Sequence, residues 1–209
     1  NVTLDELAAH VAALAAAVDI PLSVDAEDGY ASDAAGLPDT VAVLAEAGAS
    51  GISIEDYDPG SGLRPIGEAA QRVGVYTEAA SRVGITVTAR AENHLYGVDD
   101  LDDTLERLQS YSDAGAHVLY APGLSSGADI ARVVTRAGGP VNVLLGADTP
   151  TVGQLSDLGV RRLSTGGALA FTAYGAAARA AQELLESGTS DYLAGALTTE
   201  ERARAFDPR

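Results

Sequence analysis

Cysteine is absent from the 209 residues. That excludes disulfides, thiolate metal sites and a cysteine nucleophile, and it suits a cytoplasmic protein. Basic residues are scarce: 13 Lys and Arg stand against 30 Asp and Glu, a formal net charge of −17. Nucleic acid needs clustered cations to displace its counterions, so this balance argues against such a partner. Solubility, or the habit of the source organism, accounts for most of the acidity, since many of the acids fall in predicted helices. Long apolar runs are missing as well. None reaches the roughly 18 residues a bilayer demands, so no membrane span is expected. The opening Asn1-Val-Thr-Leu-Asp-Glu lacks the basic stretch and apolar run of a secretory leader. Several motifs are also absent: a G-x-G-x-x-G after the first strand, an H-E-x-x-H zinc helix, a G-x-S-x-G nucleophile elbow and a Walker phosphate loop.

What is present is a globular composition, 46% apolar, in a chain long enough for one sizeable core. Short runs rich in Val, Ile and Leu alternate with longer amphipathic stretches. Strands are predicted at 20–25, 51–55, 85–90, 117–121, 140–145 and 160–164. Helices are predicted at 3–18, 38–48, 66–83, 100–114, 126–137, 150–158, 167–187 and 198–205. Thr3 with Glu6, and Thr198 with Glu201, have capping-box spacing. Strands that are continuously apolar suggest burial on both faces. Strict β/α alternation predicts a parallel sheet with right-handed crossovers, either doubly wound or a TIM-type (β/α)₈ barrel. The barrel is favoured. Only six strands are visible, so its first one or two strands are expected to precede Asn1. The barrel domain is assigned to 1–187 and a C-terminal helical arm to 188–209.

Acids gather at two predicted strand ends: Pro21-Leu-Ser-Val-Asp25-Ala-Glu27-Asp28-Gly29-Tyr30 and Gly51-Ile-Ser-Ile-Glu55-Asp56. In parallel α/β folds the carboxyl ends of the strands form the active-site mouth. Asp25 and Glu27 face the same way on an extended chain, and Glu55 is a lateral neighbour. Together they could hold Mg²⁺, or Mn²⁺, through oxygen ligands and retained waters. Alternatively, such acids cap helices or form loop ion pairs.

Arg90 ends the third strand in Thr88-Ala-Arg90-Ala-Glu92-Asn93-His94. Its guanidinium could bind a carboxylate or phosphonate, or pair with Glu55 or Glu92; the two roles can coexist. His94 could line the mouth, while His10 and His117 read as structural. Ser164-Thr-Gly166-Gly167 leaves backbone N–H groups open before a helix, which suits either phosphate binding or close helix–strand packing.

These segments, together with Gly159-Val-Arg-Arg-Leu-Ser164-Thr-Gly166 and Gly188-Thr-Ser-Asp-Tyr-Leu-Ala-Gly195, follow the order seen in the phosphoenolpyruvate mutase/isocitrate lyase superfamily. The resemblance covers nearly the whole chain and is closest to phosphonomutase-like members. It implies a barrel with Mg²⁺ at the mouth and chemistry that makes or breaks a C–C or C–P bond beside a 2-oxo acid, through an enolate-like intermediate. By this resemblance Asp25 matches the principal metal ligand, and Glu27 stands where many members have Asp. Glu55 matches the acid of the I-E-D motif, and Arg90 the arginine that steadies substrate and developing charge. The substrate is then a small anionic 2-oxo acid or phosphonate. A homo-oligomer, tetramer or dimer, is implied, joined through the C-terminal helix at 198–205.

The chain departs from the lyase branch after the I-E-D strand. Tyr57-Asp-Pro-Gly60-Ser-Gly62-Leu-Arg64 replaces a cysteine-bearing K-K-C-G-H segment. That argues against isocitrate or methylisocitrate cleavage, and the short segment resembles no mutase gate. Two other readings stay open: a phosphosugar-type barrel enzyme using the Gly166-Gly167 corner, and a non-catalytic barrel with a degenerate site.

Overall fold

The computed structural model describes residues 2–206. Its strands are β1 (Ser23–Val24), β2 (Gly51–Glu55), β3 (Tyr57–Asp58), β4 (Gly62–Leu63), β5 (Thr86–Arg90), β6 (Val118–Tyr120), β7 (Val141–Leu144) and β8 (Arg162–Ser164). The α-helices are α1 (Leu4–Ala17), α2 (Leu37–Glu46), α3 (Ile66–Val83), α4 (Leu101–Asp113), α5 (Gly127–Arg136), α6 (Val152–Asp157), α7 (Ala168–Ser187) and α8 (Thr199–Phe206). Six strands form one parallel sheet in the order β1-β2-β5-β6-β7-β8.

Each strand beyond β1 lies beside its predecessor in the α/β series, the arrangement that right-handed crossovers produce. The sheet curls: Arg162 Nη2, at the start of β8, donates to Ser23 Oγ of β1 at 3.1 Å. The result is a half-barrel. Among the described residues β1 and β8 are not paired, so the closed eight-stranded barrel expected from the alternation is not complete here.

Within the strands, side chains alternate rather than being apolar throughout. Ile52, Ile54, Val87 and Ala89 join Leu37, Val41, Tyr76 and Leu108 in the hydrophobic core. Ser53, Glu55, Thr88 and Arg90 take the other positions, and therefore the other face. Register then lines up Glu55 with Arg90, and Arg90 with Tyr120, across three adjacent strands.

Local chemistry fixes the helix ends. Thr3 and Glu6 form the expected capping box, and Thr151 with Gln154 forms another. Gly84 ends α3 in the left-handed region, φ 74°, where a β-carbon would be disfavoured. No described helix is long and apolar enough to cross a membrane.

By packing, the chain divides into a unit ending at Ser164 and a second beginning at Thr165. In the second unit Glu183 accepts from Thr189 Oγ1 at 2.7 Å and from the Asp191 and Tyr192 N–H groups, fixing the turn after α7. Thr198 and Glu201 bond reciprocally at the start of α8. Leu169, Phe171, Tyr174 and Leu185 of α7 are each at least 71% exposed.

Candidate active site

Asp25 follows β1 directly. Its Oδ1 accepts from Ser53 Oγ at 2.9 Å and from the Glu27 N–H at 3.2 Å. Ser53 Oγ in turn accepts from the Ala26 N–H. The loop beyond is tightly determined. Gly29 N–H donates to the Ala26 carbonyl, Thr40 Oγ1 to the Gly29 carbonyl, and Arg72 Nη2 to the carbonyls of Asp28 and Ala31. These bonds hold Glu27 at φ 46° and Tyr30 at φ 54°, a left-handed backbone that costs residues with a β-carbon on the order of 1–2 kcal/mol each. At Gly29, φ 93°, an added Cβ would meet Leu37 Cδ2 at 2.5 Å.

Arg90 is the hub. Its Nη1 lies 2.6 Å from Asp25 Oδ2, Nη2 3.2 Å from Glu55 Oε2, and Nε 2.7 Å from Glu92 Oε1. Both ion pairs weighed for it are therefore present, with Asp25 as a third. Its guanidinium also lies 5.5 Å from the centre of the Tyr120 ring, within cation–π range. One cation thus faces three carboxylates. Burial pushes the Glu55 carboxyl up to about 8 against the pull of Arg90, and the charges of Glu92, Asp25 and Glu27 add to the rise. Glu92 is raised for the same leading reason, loss of hydration. Glu27 itself is exposed.

Asp56, next to Glu55, is buried and bonded on the helix side. Its carboxylate accepts from the Glu92 N–H at 2.9 Å, from Arg107 Nη1 at 3.1 Å and from the Tyr111 hydroxyl. Residues 57–63, which read as a bare loop, form the antiparallel pair β3–β4. Tyr57 of this hairpin stacks on Tyr96, 3.3 Å between ring centres, so the hairpin leans on the loop after β5.

The remaining candidates have other partners. His94 spends its ring nitrogens on Asp99 at 3.0 Å and Thr104 Oγ1 at 2.8 Å, and its side chain is only 8% exposed. His117 accepts from the Val87 N–H, toward the amino ends of the strands. At Gly167 an added Cβ would come 2.7 Å from the ring of Phe171, an exposed side chain one turn along α7. Ser53, Tyr120, Arg107 and Tyr111 carry no signal in the sequence that marks them as neighbours of the site. Ser53 and Tyr120 stand on strands beside the acids, a proximity only the register reveals.

Among the described residues no three His, Asp or Glu side chains form a ready-made metal cage. Asp25, Glu27 and Glu55 are thus not gathered on one point; Asp25 and Glu55 turn to Arg90 instead. The donor set nonetheless fits a hard divalent cation. It is all oxygen, carries excess negative charge, and leaves the Asp25 side chain 64% exposed. Mg²⁺ binds through one or two carboxylates and keeps several waters, so a closed cage is not required.

Residues 1–185 match the family model described as phosphoenolpyruvate phosphomutase. An oxaloacetate decarboxylase of Rhodopseudomonas palustris (strain TIE-1) is 30% identical over 172 residues, covering 78% of this chain. The chain spans only 57% of that relative's length. A structure from Burkholderia cenocepacia J2315, described as a candidate lyase/mutase, superposes with TM-score 0.93 at 39% identity, covering all of this chain and 77% of the other. A phosphonopyruvate hydrolase solved with oxalate and Mg²⁺ shares the fold, with TM-score 0.80 at 23% identity over 97% of this chain and 74% of its own. With its family match, its half-barrel and its acids at the strand ends, the chain belongs to the phosphoenolpyruvate mutase/isocitrate lyase superfamily.

Proposed function

We propose that this chain carries the active site of an enzyme that makes or breaks a C–C or C–P bond beside a 2-oxo acid. The observation that carries the reading is Arg90, held among Asp25, Glu55 and Glu92 where three neighbouring strands end. Asp25, Glu27 and Glu55 would hold Mg²⁺ and its waters, with Mn²⁺ as substitute. When bound, the ion supplies a Lewis acid that polarises the oxo and carboxylate oxygens.

Arg90 binds the substrate's carboxylate or phosphonate through Nη1 and Nη2, the nitrogens now on Asp25 and Glu55. Nε stays on Glu92, so the guanidinium plane is fixed before substrate arrives. A cation fixed in advance stabilises the negative charge that grows on the substrate oxygen as the bond breaks, without reorganising at that moment. Relatives named oxaloacetate decarboxylase and 2-methylisocitrate lyase support this reaction class. Without cysteine, the chain must move protons with other groups.

Calorimetric titration of Mg²⁺ and Mn²⁺ into the full-length protein, with and without oxalate, tests the reading. Oxalate should bind only when metal is present, and Asp25→Ala should remove both events. Binding of neither ligand to the wild type would overturn it. Assembly through the C-terminal helix belongs to the same proposal, supported by the exposed apolar side chains of α7 and by Phe206 of α8, 78% exposed. Deleting residues 190–209 should then lower the sedimenting mass, and an unchanged profile would refute it.

A further inference from the structure

Asp56 is 2% exposed, and the groups around it are scarcely more accessible: Glu92 1%, Arg107 6% and Tyr111 0%. Taking a carboxylate and a guanidinium out of water costs several kcal/mol per ion, and apolar side chains of similar size often fill such a space more stably. Geometry is what this pair provides in return.

On one side the Asp56 carboxylate holds the Glu92 backbone N–H at 2.9 Å, and the Glu92 side chain holds Arg90 Nε at 2.7 Å. On the other side the Asp56 carbonyl accepts from the Arg64 N–H at 2.8 Å. Arg107 Nη1 donates both to Asp56 and, at 2.9 Å, to the Arg64 carbonyl, while its Nε is fixed by Asp103 at 2.7 Å. The Arg64 side chain then grips Asp58 at 2.6 Å and Glu68 at 2.8 Å, and lies 3.6 Å from Asp28, three residues along from Asp25. One buried ion pair therefore stands between the arm that carries Arg90 and the loop that carries Asp25.

We propose that Asp56 and Arg107 are a positioning pair that sets the spacing between Arg90 and the Asp25–Asp28 loop, and so tunes affinity for a 2-oxo acid anion that neither residue touches. The effect on the anion rests on the function proposed above; the effect on the backbone does not.

The test compares Asp56→Asn with Leu108→Ala in the full-length protein. Asparagine keeps the shape but offers an amide N–H₂ where Arg107 or Tyr111 now donates. Leu108, fully buried on the same helix, reports general loosening of the core. Two readouts are taken: oxalate affinity at saturating Mg²⁺, and hydrogen exchange at the Glu92 and Arg64 amides. Asp56→Asn should weaken oxalate about tenfold or more and expose both amides. Leu108→Ala should keep affinity within about twofold, because it leaves the bonds of Asp56 and Arg107 in place.

Equal oxalate affinity in Asp56→Asn and wild type would overturn the proposal, as would an equal loss in Leu108→Ala. If Asp56→Asn does not fold, Tyr111→Phe removes one donor only and should weaken oxalate about threefold. If the wild type binds no oxalate, the function proposed above fails and exchange decides alone. Faster exchange at both amides in Asp56→Asn than in Leu108→Ala upholds the positioning pair, and the absence of that difference refutes it.

Discussion

Two arginines sit on the same sheet in opposite company. Arg90, at the carboxyl ends, is bonded by three carboxylates. Arg162, toward the amino ends, donates to the neutral Asn142 Oδ1 at 3.2 Å and Ser23 Oγ at 3.1 Å, and among the described residues no carboxylate pairs with it. It lines a cavity of about 180 Å³ in which Ser23, Ser50, Thr86 and Thr88 stand beside Pro21, Leu22 and Val118. An arginine stands at each end of the sheet, yet only Arg90 is surrounded by carboxylates. Arg162 is satisfied by neutral acceptors. Burial raises the Glu55 carboxyl to about 8, and the neighbouring charges of Glu92, Asp25 and Glu27 add to the rise, so the acid end of the sheet carries an electrostatic cost of the kind that clusters at functional sites.

Four substitutions break or sharpen this contrast. Arg90→Met should abolish oxalate binding in calorimetry. It should also cost the metal-free protein about 3 kcal/mol in urea unfolding, because Glu55 and Glu92 would stay buried without their cation. Asp25→Ala should lower Mg²⁺ affinity at least a hundredfold in the same titration. Its unfolding midpoint should scarcely move, since the exposed Asp25 side chain is well hydrated. Ser53→Ala removes the hydroxyl that orients Asp25 and should weaken Mg²⁺ about tenfold. Arg162→Met should leave Mg²⁺ and oxalate titrations unchanged while costing about 2 kcal/mol of stability, through two lost hydrogen bonds to a charged donor. A loss of oxalate binding in Arg162→Met would erase the contrast between the two ends.

How much of this is legible in the sequence depends on the range of the interactions. The bounds of α3 at 66–83 and β2 at 51–55 follow from local pattern, and the Thr3–Glu6 box from a spacing of three. The predicted strand at 20–25 shrinks to two residues, because only Ser23 and Val24 find register with β2. The β3–β4 hairpin escapes detection because strands of two residues carry no period to read. The acids at 25 and 55 and the arginine at 90 stand out because strand ends are visible as ends. Asp56 looks like their equal in sequence. Its removal into a buried pair depends on Arg107 and Tyr111, 51 and 55 residues away, and no local pattern carries that.

The left-handed backbone at Glu27 and Tyr30 bears on how this protein could be re-engineered. Glycine at either position would relieve the steric cost, so a search guided only by thermal stability would be drawn to the loop that carries Asp25. Glu27→Gly should be no less stable than wild type by calorimetric melting, yet bind Mg²⁺ more weakly, having lost both a carboxylate and the rigidity around Asp25. Stabilising variants chosen away from residues 25–30 should keep the site, whereas those chosen within that stretch would exchange function for robustness.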